Sequence, residues 1–205
     1  MAHDALKAEF SARSRSGSDI HEHLPVLSAL AQVCGHVTEF GVRGGNSTIA
    51  LLHGLALDDD GGELASYDLM PHGIECVPYL PPTLTWRFSL ADTSTLSGIA
   101  PTDFLFIDTL HTCAQVAAEL GHAPRVRKYI AFHDTVLFGW HDEAPGTGPG
   151  IMQAIFDFLG SAEGSHWHVV SHAPRNNGLL ILARHQPPTH PAPIQPRRTS
   201  KRPTP

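Results

Sequence analysis

The sequence predicts an α/β fold: a doubly wound, mostly parallel, Rossmann-like seven-stranded sheet that ends in a C-terminal antiparallel hairpin. Short apolar β-type runs alternate with helical patterns along the 205 residues, which is typical of strands joined by crossover helices. The run at 103–108 is apolar nearly throughout, as expected of a strand that is covered on both faces. The last two predicted strands follow each other without a helix between them, so they form the hairpin.

Each predicted strand is a short apolar run bounded by glycine, proline or polar turn residues. The predicted strands are 36–40, 63–68, 86–92, 103–108, 129–134, 166–171 and 178–184. The connection at 71–82 is irregular, because Pro78, Pro81 and Pro82 cannot all lie inside one long helix.

Each predicted helix has apolar residues at three- and four-residue spacing. The predicted helices are 21–34, 47–57, 112–120 and 151–159. Ser18 or Asp19 can cap the first of them, and Ile151, Ile155 and Phe158 share one face of the last.

Composition divides the chain into three parts. Residues 1–18 are polar and rich in serine and arginine, which predicts a flexible N-terminus, 19–185 form the folded domain, and 186–205 form a disordered, proline-rich basic tail. The net charge is −6, and the acidic body argues against binding the phosphate backbone of a nucleic acid. The basic tail could contact nucleic acid or anionic lipid, although such ends are more often solvated.

Composition also bears on the compartment. No apolar run reaches the roughly 18 residues that a membrane span needs, and the N-terminus has no apolar segment typical of a secretory signal. The three cysteines are scattered and never spaced C-x-x-C, which indicates reduced thiols. We therefore expect a cytoplasmic protein without membrane contacts, and the question of a homo-oligomer stays open.

A glycine turn after the first strand carries the clearest binding signal. Gly41, Gly44 and Gly45 let the backbone pass close beneath a ligand and let the next helix begin tightly. Their spacing differs from the G-x-G-x-x-G of a dinucleotide site, and the carboxylate of Glu39 would repel a pyrophosphate. A cationic ligand such as S-adenosylmethionine (SAM) fits better, with Asp68 accepting from its ribose hydroxyls. The alternative is a plain strand–turn–helix that binds nothing.

Several segments, in their order along the chain, resemble class I SAM-dependent methyltransferases. These segments are EFGVRGGNSTIALL, SYDL, FIDTLHT, YIAFHDT, GPGIMQAIFDFL and NNGLLIL. The similarity extends over 20–184 and is greatest to the branch that holds macrolide-sugar and rhamnosyl O-methyltransferases and cephalosporin-hydroxylase-like proteins. It implies an enzyme that methylates a hydroxyl of a small-molecule acceptor, a sugar or another polyol.

The resemblance also implies roles for individual residues of this sequence. From the methionine end of SAM to its adenine end, the implied cofactor residues are Glu39, Gly41, Gly45, Asp68, Asp92 and Thr93. Asp68 would hold the ribose. Arg43, Ser47 and Asp108 complete the candidate cofactor-binding set, and Arg43 could contact the SAM carboxylate or only solvent.

Four polar side chains follow the fourth and fifth predicted strands: Asp108, His111, His133 and Asp134. Neighbouring strands lie about 5 Å apart, so these side chains can converge on one site. Methyl transfer to an alcohol needs a hydroxyl that loses its proton, and a divalent cation and a positioned histidine both assist this loss. The resemblance implies Asp108 and the pair 133–134 as metal ligands, and Asp108 with His111, the base, as catalytic residues.

Position 133 departs from the metal-dependent members of that branch, where a glutamate is expected. Magnesium prefers oxygen ligands, whereas imidazole suits manganese, iron, nickel or zinc. His133 therefore selects a different metal, points elsewhere, or indicates that no metal is bound, and Mg²⁺ and Mn²⁺ both stay candidates. Without a metal, Asp108 and Asp134 would cap the elements that follow them, and His111 would bond a backbone carbonyl.

Two other functions stay open at this point. His111, His133 and a carboxylate could form the facial triad of a metal-dependent oxygenase, although this would leave Glu39, Asp68 and the glycine turn unused. The chain could also bind SAM or a partner without any turnover.

Overall fold

The computed structural model describes residues 2–72, 74, 80–143 and 148–185. Its strands are β1 (His36–Phe40), β2 (Gly62–Asp68), β3 (Leu84–Leu90), β4 (Thr102–Ile107), β5 (Val126–His133), β6 (Trp167–Ala173) and β7 (Leu179–Arg184). Its α-helices are α1 (Ala2–Arg13), α2 (Leu24–Gln32), α3 (Asn46–Leu55), α4 (Cys113–Glu119) and α5 (Ile151–Leu159). The predicted tail at 186–205, Cys76 and part of the loop before α5 lie outside the described residues.

The strands form one mixed sheet in the order β3-β2-β1-β4-β5-β7-β6. Strands β1 to β5 pair in parallel, while β7 runs antiparallel between β5 and β6. The predicted seven-stranded, mostly parallel sheet with its antiparallel C-terminal hairpin is thereby confirmed. The strand order reverses between β1 and β4, and ligands of such sheets bind outside the carboxyl ends of the strands beside this point.

Helices cover both faces of the sheet. Phe104 and Phe106 of β4 belong to the apolar cluster beneath α2 and α3, whereas Leu105 and Ile107 belong to the cluster beneath α4 and α5. Every side chain of β4 is buried, because a central strand between two helical layers has no face toward solvent. No helix of the described residues is long and apolar enough to cross a membrane.

The N-terminal segment differs from its prediction as a flexible end. Helix α1 packs against α3, where the ring of Phe10 stacks on His53 with the ring centroids 4.0 Å apart. The guanidinium of Arg13 donates to the carbonyl of Gly44 at 2.7 Å and to Oδ1 of Asn46 at 3.0 Å. The sequence does not predict this helix because few apolar side chains anchor it and the rest of its surface is polar.

The start of α2 also differs from its prediction. A 3₁₀ turn at His21–His23 precedes the helix, and Pro25 lies in its first turn, where a backbone N–H would have no intrahelical partner. Asp19 does not cap the helix, because its carboxylate accepts from the guanidinium of Arg43 at 2.8 Å. The segment between α1 and α2 therefore lies against the glycine turn.

Candidate functional site

The carboxyl ends of β1, β4 and β5 bring the predicted site residues together. Phe40 is in register with Ile107, and Ile107 is in register with Phe132. The residues that follow these three therefore lie side by side at one edge of the sheet. This edge holds the glycine turn, Asp108 and His133.

Two positions of the glycine turn require glycine. Gly41 has a φ of +89°, and a Cβ at this position would overlap the carbonyl oxygen of Asp108. Gly45 has a φ of +77°, and its Cβ would overlap the side chain of Ile74. A Cβ on Gly44 would meet no heavy atom within 4 Å. The absence of a side chain at Gly41 therefore lets the ends of β1 and β4 approach each other.

Asp68 lies at the end of β2 and is bonded to the glycine turn. Its Oδ2 accepts from the backbone N–H groups of Val42 at 2.7 Å and Arg43 at 2.9 Å, and its Oδ1 accepts from that of Met70 at 2.9 Å. Burial acts to raise the pKa of Asp68, but these backbone donors outweigh it and lower the pKa. The carboxylate is therefore ionised at neutral pH and fixed beside the turn.

A cavity of about 380 Å³ opens between the ends of β2, β3 and β4. We call it the nucleoside cavity, because the sequence predicts that Asp68 holds the ribose of SAM. Six residues predicted from the sequence line it: Gly41, Arg43, Asp68, Asp92, Thr93 and Asp108. The exposed side chain of Leu110 adds an apolar wall. Polar groups at the rim and apolar walls within a volume of this order are typical of a small-molecule site.

Asp92 lies two residues beyond the end of β3, which is shorter at this end than predicted. Its Oδ1 accepts from the backbone N–H of Ser94 at 2.9 Å and from the hydroxyl of Ser94 at 2.6 Å. Asp92 thus caps a 3₁₀ turn at Thr93–Thr95. The turn, and not the strand, positions Asp92 at the nucleoside cavity.

Glu39 does not line the cavities at this edge, although the sequence predicts that it contacts the cofactor. Its carboxylate is fully buried and accepts from the hydroxyls of Ser47 at 2.7 Å, Thr48 at 2.9 Å and Ser66 at 2.6 Å. Burial raises the pKa of Glu39 to about 7, against the lowering by these hydroxyls. The hydroxyl of Ser47 is likewise directed at Glu39. Both side chains therefore hold α3 against β1 and β2.

Glu39→Gln should become more stable relative to the wild type as the pH rises. The folded-state pKa of Glu39 lies above its ordinary value of 4.5, so between these two values the native state keeps a proton that the unfolded chain has released. Wild-type stability falls with rising pH across this window. The amide has no such proton, and its relative free energy of unfolding should increase by up to roughly 3 kcal/mol. Urea unfolding of both proteins at pH 5 and pH 8 measures the difference, and a pH-independent difference would contradict it.

A second cavity, of about 500 Å³, lies on the other side of the glycine turn. We call it the arm cavity, after the methionine arm of the SAM that the sequence predicts as the ligand. Its lining includes Ser18 and Asp19 from the segment before α2, and Arg43, Ser47 and Asp108. The side chain of Arg43 is 85% exposed and pairs with Asp19. Arg43 and Asp108 line both cavities, so the two cavities meet at these residues.

The four side chains that follow β4 and β5 converge as predicted. Nε2 of His111 lies 2.8 Å from Oδ2 of Asp134 and 3.3 Å from Oδ1 of Asp108, and Nδ1 of His133 lies 3.3 Å from each of these oxygens. Glu143 joins them, because its Oε2 accepts from Nδ1 of His111 at 3.0 Å. We call these five residues the acid–histidine cluster.

The carboxylates of the cluster control the charge of its imidazoles. Burial acts to lower the pKa of His111 and of His133, but hydrogen bonds to Asp108 and Asp134 outweigh it and raise each pKa to about 10. Burial acts to raise the pKa of both aspartates, and the histidines outweigh it and lower them. Both imidazoles are therefore protonated at neutral pH. In this state His111 cannot accept a proton, so its predicted role as a base requires another cation on the two aspartates.

The cluster fits a divalent cation in its donor atoms. Three ligand atoms lie within 4.8 Å of one another, one each from Asp108, His133 and Asp134. This spacing permits all three to coordinate one cation at ligand distances of about 2.0–2.6 Å. Oδ1 of Asp134 is buried and has no hydrogen-bond partner in the described part of the chain, so one donor atom is unsatisfied. Nε2 of His133 donates to the carbonyl of Asn176 at 3.1 Å, which directs Nδ1 at the aspartates. His133 therefore does not point elsewhere.

The sequence does not predict three contributors to this edge. Glu143 lies in the loop after β5. Asn176 lies in the hairpin turn, where its φ is +48°. The run of two asparagines and a glycine predicts this turn but not the contacts of Asn176. The side-chain amide of Asn176 donates to the carbonyl of Ser18 at 3.1 Å. Glu119 is an acid on the buried face of α4, and this unusual placement is the signal that could have identified it.

Comparisons with known proteins identify the fold. No protein-family model matches the chain, and a search of curated proteins finds no match. An O-methyltransferase from Bacillus cereus, solved in complex with S-adenosyl-L-homocysteine (SAH), is 18% identical, with a TM-score of 0.58 and 90% of each chain covered. The O-methyltransferase TomG from Streptomyces achromogenes, involved in tomaymycin synthesis and solved with SAM, is 17% identical, with a TM-score of 0.57 over 89% of this chain and 90% of that one.

An N-methyltransferase has a similar structure. NodS from Bradyrhizobium japonicum, in complex with SAH, is 13% identical, with a TM-score of 0.54 over 90% of this chain and 99% of that one. At such identities these matches establish a shared fold.

Proposed function

We propose that the protein is a SAM-dependent methyltransferase that acts on a hydroxyl of a small molecule with the assistance of a divalent cation. The position of Asp108 carries the proposal. Asp108 lines the nucleoside cavity and the arm cavity, and it bonds both His111 and His133. A cofactor that spans the two cavities would therefore have its middle, the sulfonium, beside the acid–histidine cluster. The SAM and SAH complexes of proteins with this fold support the choice of cofactor.

The two cavities suit the two ends of SAM. In the nucleoside cavity, Asp68 is placed to accept from the ribose hydroxyls, and Asp92 borders the place of the base. In the arm cavity, Asp19 carries negative charge that attracts the ammonium of the methionine arm. The two cavities meet at Arg43 and Asp108, which line both, so the sulfonium would lie beside these residues.

The acceptor fits a third cavity, of about 420 Å³, that adjoins the other two at Arg43 and Asp108. Its remaining lining includes His111 and Glu143. These polar side chains suit an acceptor with several hydroxyls, such as a sugar or another polyol. The acidic groups disfavour a phosphate backbone.

Asp108, His133 and Asp134 would hold the cation. When bound, the cation would lower the pKa of an acceptor hydroxyl that coordinates it. The nitrogen ligand favours Mn²⁺ or a similar ion over Mg²⁺. With the charge of Asp108 and Asp134 shared with a cation, these carboxylates would raise the pKa of His111 less, and its Nε2 would be unprotonated more often. Its Nε2 can then accept the hydroxyl proton, while Glu143 orients the ring through Nδ1.

Calorimetric titration of the full chain with SAH, with and without EDTA, tests the proposal. We expect SAH to bind in both conditions. Transfer of the labelled methyl group of SAM to a panel of sugars and polyols should stop in EDTA and return with Mn²⁺. The absence of SAH binding would overturn the proposal as a whole, and transfer that is unaffected by EDTA would overturn the role of the cation.

The convergence of His111, His133 and a carboxylate also supports a second candidate, a metal-dependent oxygenase. Iron-dependent consumption of oxygen without SAM would identify it. This candidate is weaker, because it leaves the nucleoside cavity without a ligand.

His111→Ala tests the third candidate, a protein that binds SAM without turnover. A methyltransferase should lose about 10²-fold or more of its transfer rate in this variant and keep its affinity for SAH. A chain that binds SAH but shows no transfer to any acceptor, with or without His111, would instead favour binding alone.

A further inference from the structure

A buried carboxylate lies behind the nucleoside cavity and has no part in the proposed reaction. Glu119 of α4 is fully buried, and its oxygens accept from the hydroxyls of Thr93 and Thr109 and from the side-chain amide of Gln115. A buried carboxylate costs free energy unless it is hydrogen-bonded. The partners of Glu119 all border the nucleoside cavity. Glu119 therefore orients side chains that line this cavity.

Glu119 determines which way the amide of Gln115 is turned. An ionised carboxylate only accepts hydrogen bonds, so Gln115 presents its NH₂ group to Glu119. Nε2 lies 2.8 Å from Oε1 of Glu119 and 3.0 Å from Oγ1 of Thr93. Oγ1 of Thr93 is free to accept here, because its own proton is donated to Glu119.

Both N–H groups of the Gln115 amide are therefore used, and its oxygen is the remaining polar atom. This oxygen accepts no hydrogen bond from any residue that the structure describes, while Gln115 itself lines the nucleoside cavity. The polar atom that Gln115 leaves for a ligand of this cavity is therefore its amide oxygen, an acceptor. Glu119 determines that this atom is the oxygen and not the NH₂ group.

We propose that Gln115 is a specificity residue that reads the 6-position of the purine of the bound cofactor, with Glu119 as its positioning residue. The amide oxygen accepts from the 6-amino group of adenine and repels the 6-oxo group of hypoxanthine. The cavity therefore selects adenine nucleosides. The inference rests on the proposed function, and Asp92 borders the same cavity, so the experiment has to separate the two side chains.

The test compares SAH with S-inosyl-L-homocysteine, in which a 6-oxo group replaces the 6-amino group. Both are titrated calorimetrically into the full chain at pH 8, because burial raises the pKa of Glu119 and the carboxylate has to be ionised. We expect the wild type to bind SAH at least about thirtyfold more tightly. Gln115→Leu keeps the bulk of the side chain but has no acceptor, and the ratio of the two affinities should fall about tenfold.

Glu119→Gln tests the positioning role separately. Its amide can present either oxygen or nitrogen to Gln115, so the orientation of Gln115 is no longer fixed. The affinity ratio should therefore fall although residue 115 is unchanged.

Gln153→Leu is the matched control for Gln115→Leu. Nε2 of Gln153 also donates to an acid four residues later, Asp157 at 2.8 Å, but on the exposed side of α5. The control should keep the wild-type ratio.

The outcomes distinguish the inference from the function on which it rests. A wild type that binds neither ligand overturns the proposed function. A wild type that binds both ligands equally overturns the inference alone. Gln115→Leu with the wild-type affinity ratio also overturns it and leaves Asp92 as the residue that reads the base. Thermal unfolding of each variant is followed in parallel, and since the affinity ratio is measured within one protein, a loss of stability does not change it.

Discussion

Replacing Asp134 by asparagine is expected to weaken Mn²⁺ binding by about 100-fold or more and to reduce methyl transfer by at least as much. Oδ2 of Asp134 faces both His111 and His133, and its buried Oδ1 has no partner among the described residues. Asparagine keeps the shape of the side chain. It also tolerates the left-handed backbone of this position, where φ is +57°. The variant therefore removes the charge with little change to the fold.

Electron paramagnetic resonance of free Mn²⁺ measures the affinity, and Asp103→Asn is the control. Asp103 is also a buried carboxylate on β4, but at the opposite end of the strand, where it pairs with Arg127 at 2.8 Å and accepts from the N–H of Gly35 at 2.9 Å. This control should lose stability and keep its Mn²⁺ affinity. Asp134→Asn with wild-type Mn²⁺ affinity would contradict the assigned metal site.

Gly41→Ala is expected to destabilise the protein by about 3 kcal/mol or more. Alanine disfavours the φ of +89°, and its Cβ would overlap the carbonyl of Asp108, so the ends of β1 and β4 have to separate. Because Asp108 lines both cavities, we expect the same change to weaken SAH binding by about 100-fold. Urea unfolding and calorimetry measure the two effects.

Gly44→Ala is the matched control within the same turn. A Cβ there meets no heavy atom within 4 Å, and Gly44 is not in the left-handed region. The control should change the free energy of unfolding by no more than about 0.5 kcal/mol. If both substitutions lowered the free energy of unfolding equally, the role assigned to Gly41, the close approach of β1 to β4, would be wrong.

The sequence predicts the positions of the strands well because they depend on local patterns. A continuous apolar run such as β4 has to be buried on both faces, and the order of strands and helices then places Asp68, Asp108 and His133 at one edge. This reasoning does not predict helix α1, because the packing of α1 depends on a few contacts, such as Phe10 on His53, and not on a repeated pattern.

The direction of each side chain at that edge is harder to predict. Glu39 is in register with Ser66 of β2, so the two side chains share a face of the sheet and meet each other instead of the ligand. The predicted end of this strand, at residue 40, is correct. What the sequence does not show is that hydroxyls of α3 and β2 lie on the same face of the sheet as Glu39 and bond its carboxylate. The partners of the histidines, Glu143 and the carbonyl of Asn176, come from loops distant in sequence.

A crystal structure of the full chain grown with SAH and Mn²⁺, with data collected at the manganese absorption edge, tests the central claim most directly. We expect the adenosine of SAH beside Asp68 and Asp92, and an anomalous peak within about 2.0–2.6 Å of Asp108, His133 and Asp134. Crystals that leave both cavities without SAH, with His133 still paired to its two aspartates and no peak between them, would contradict the account.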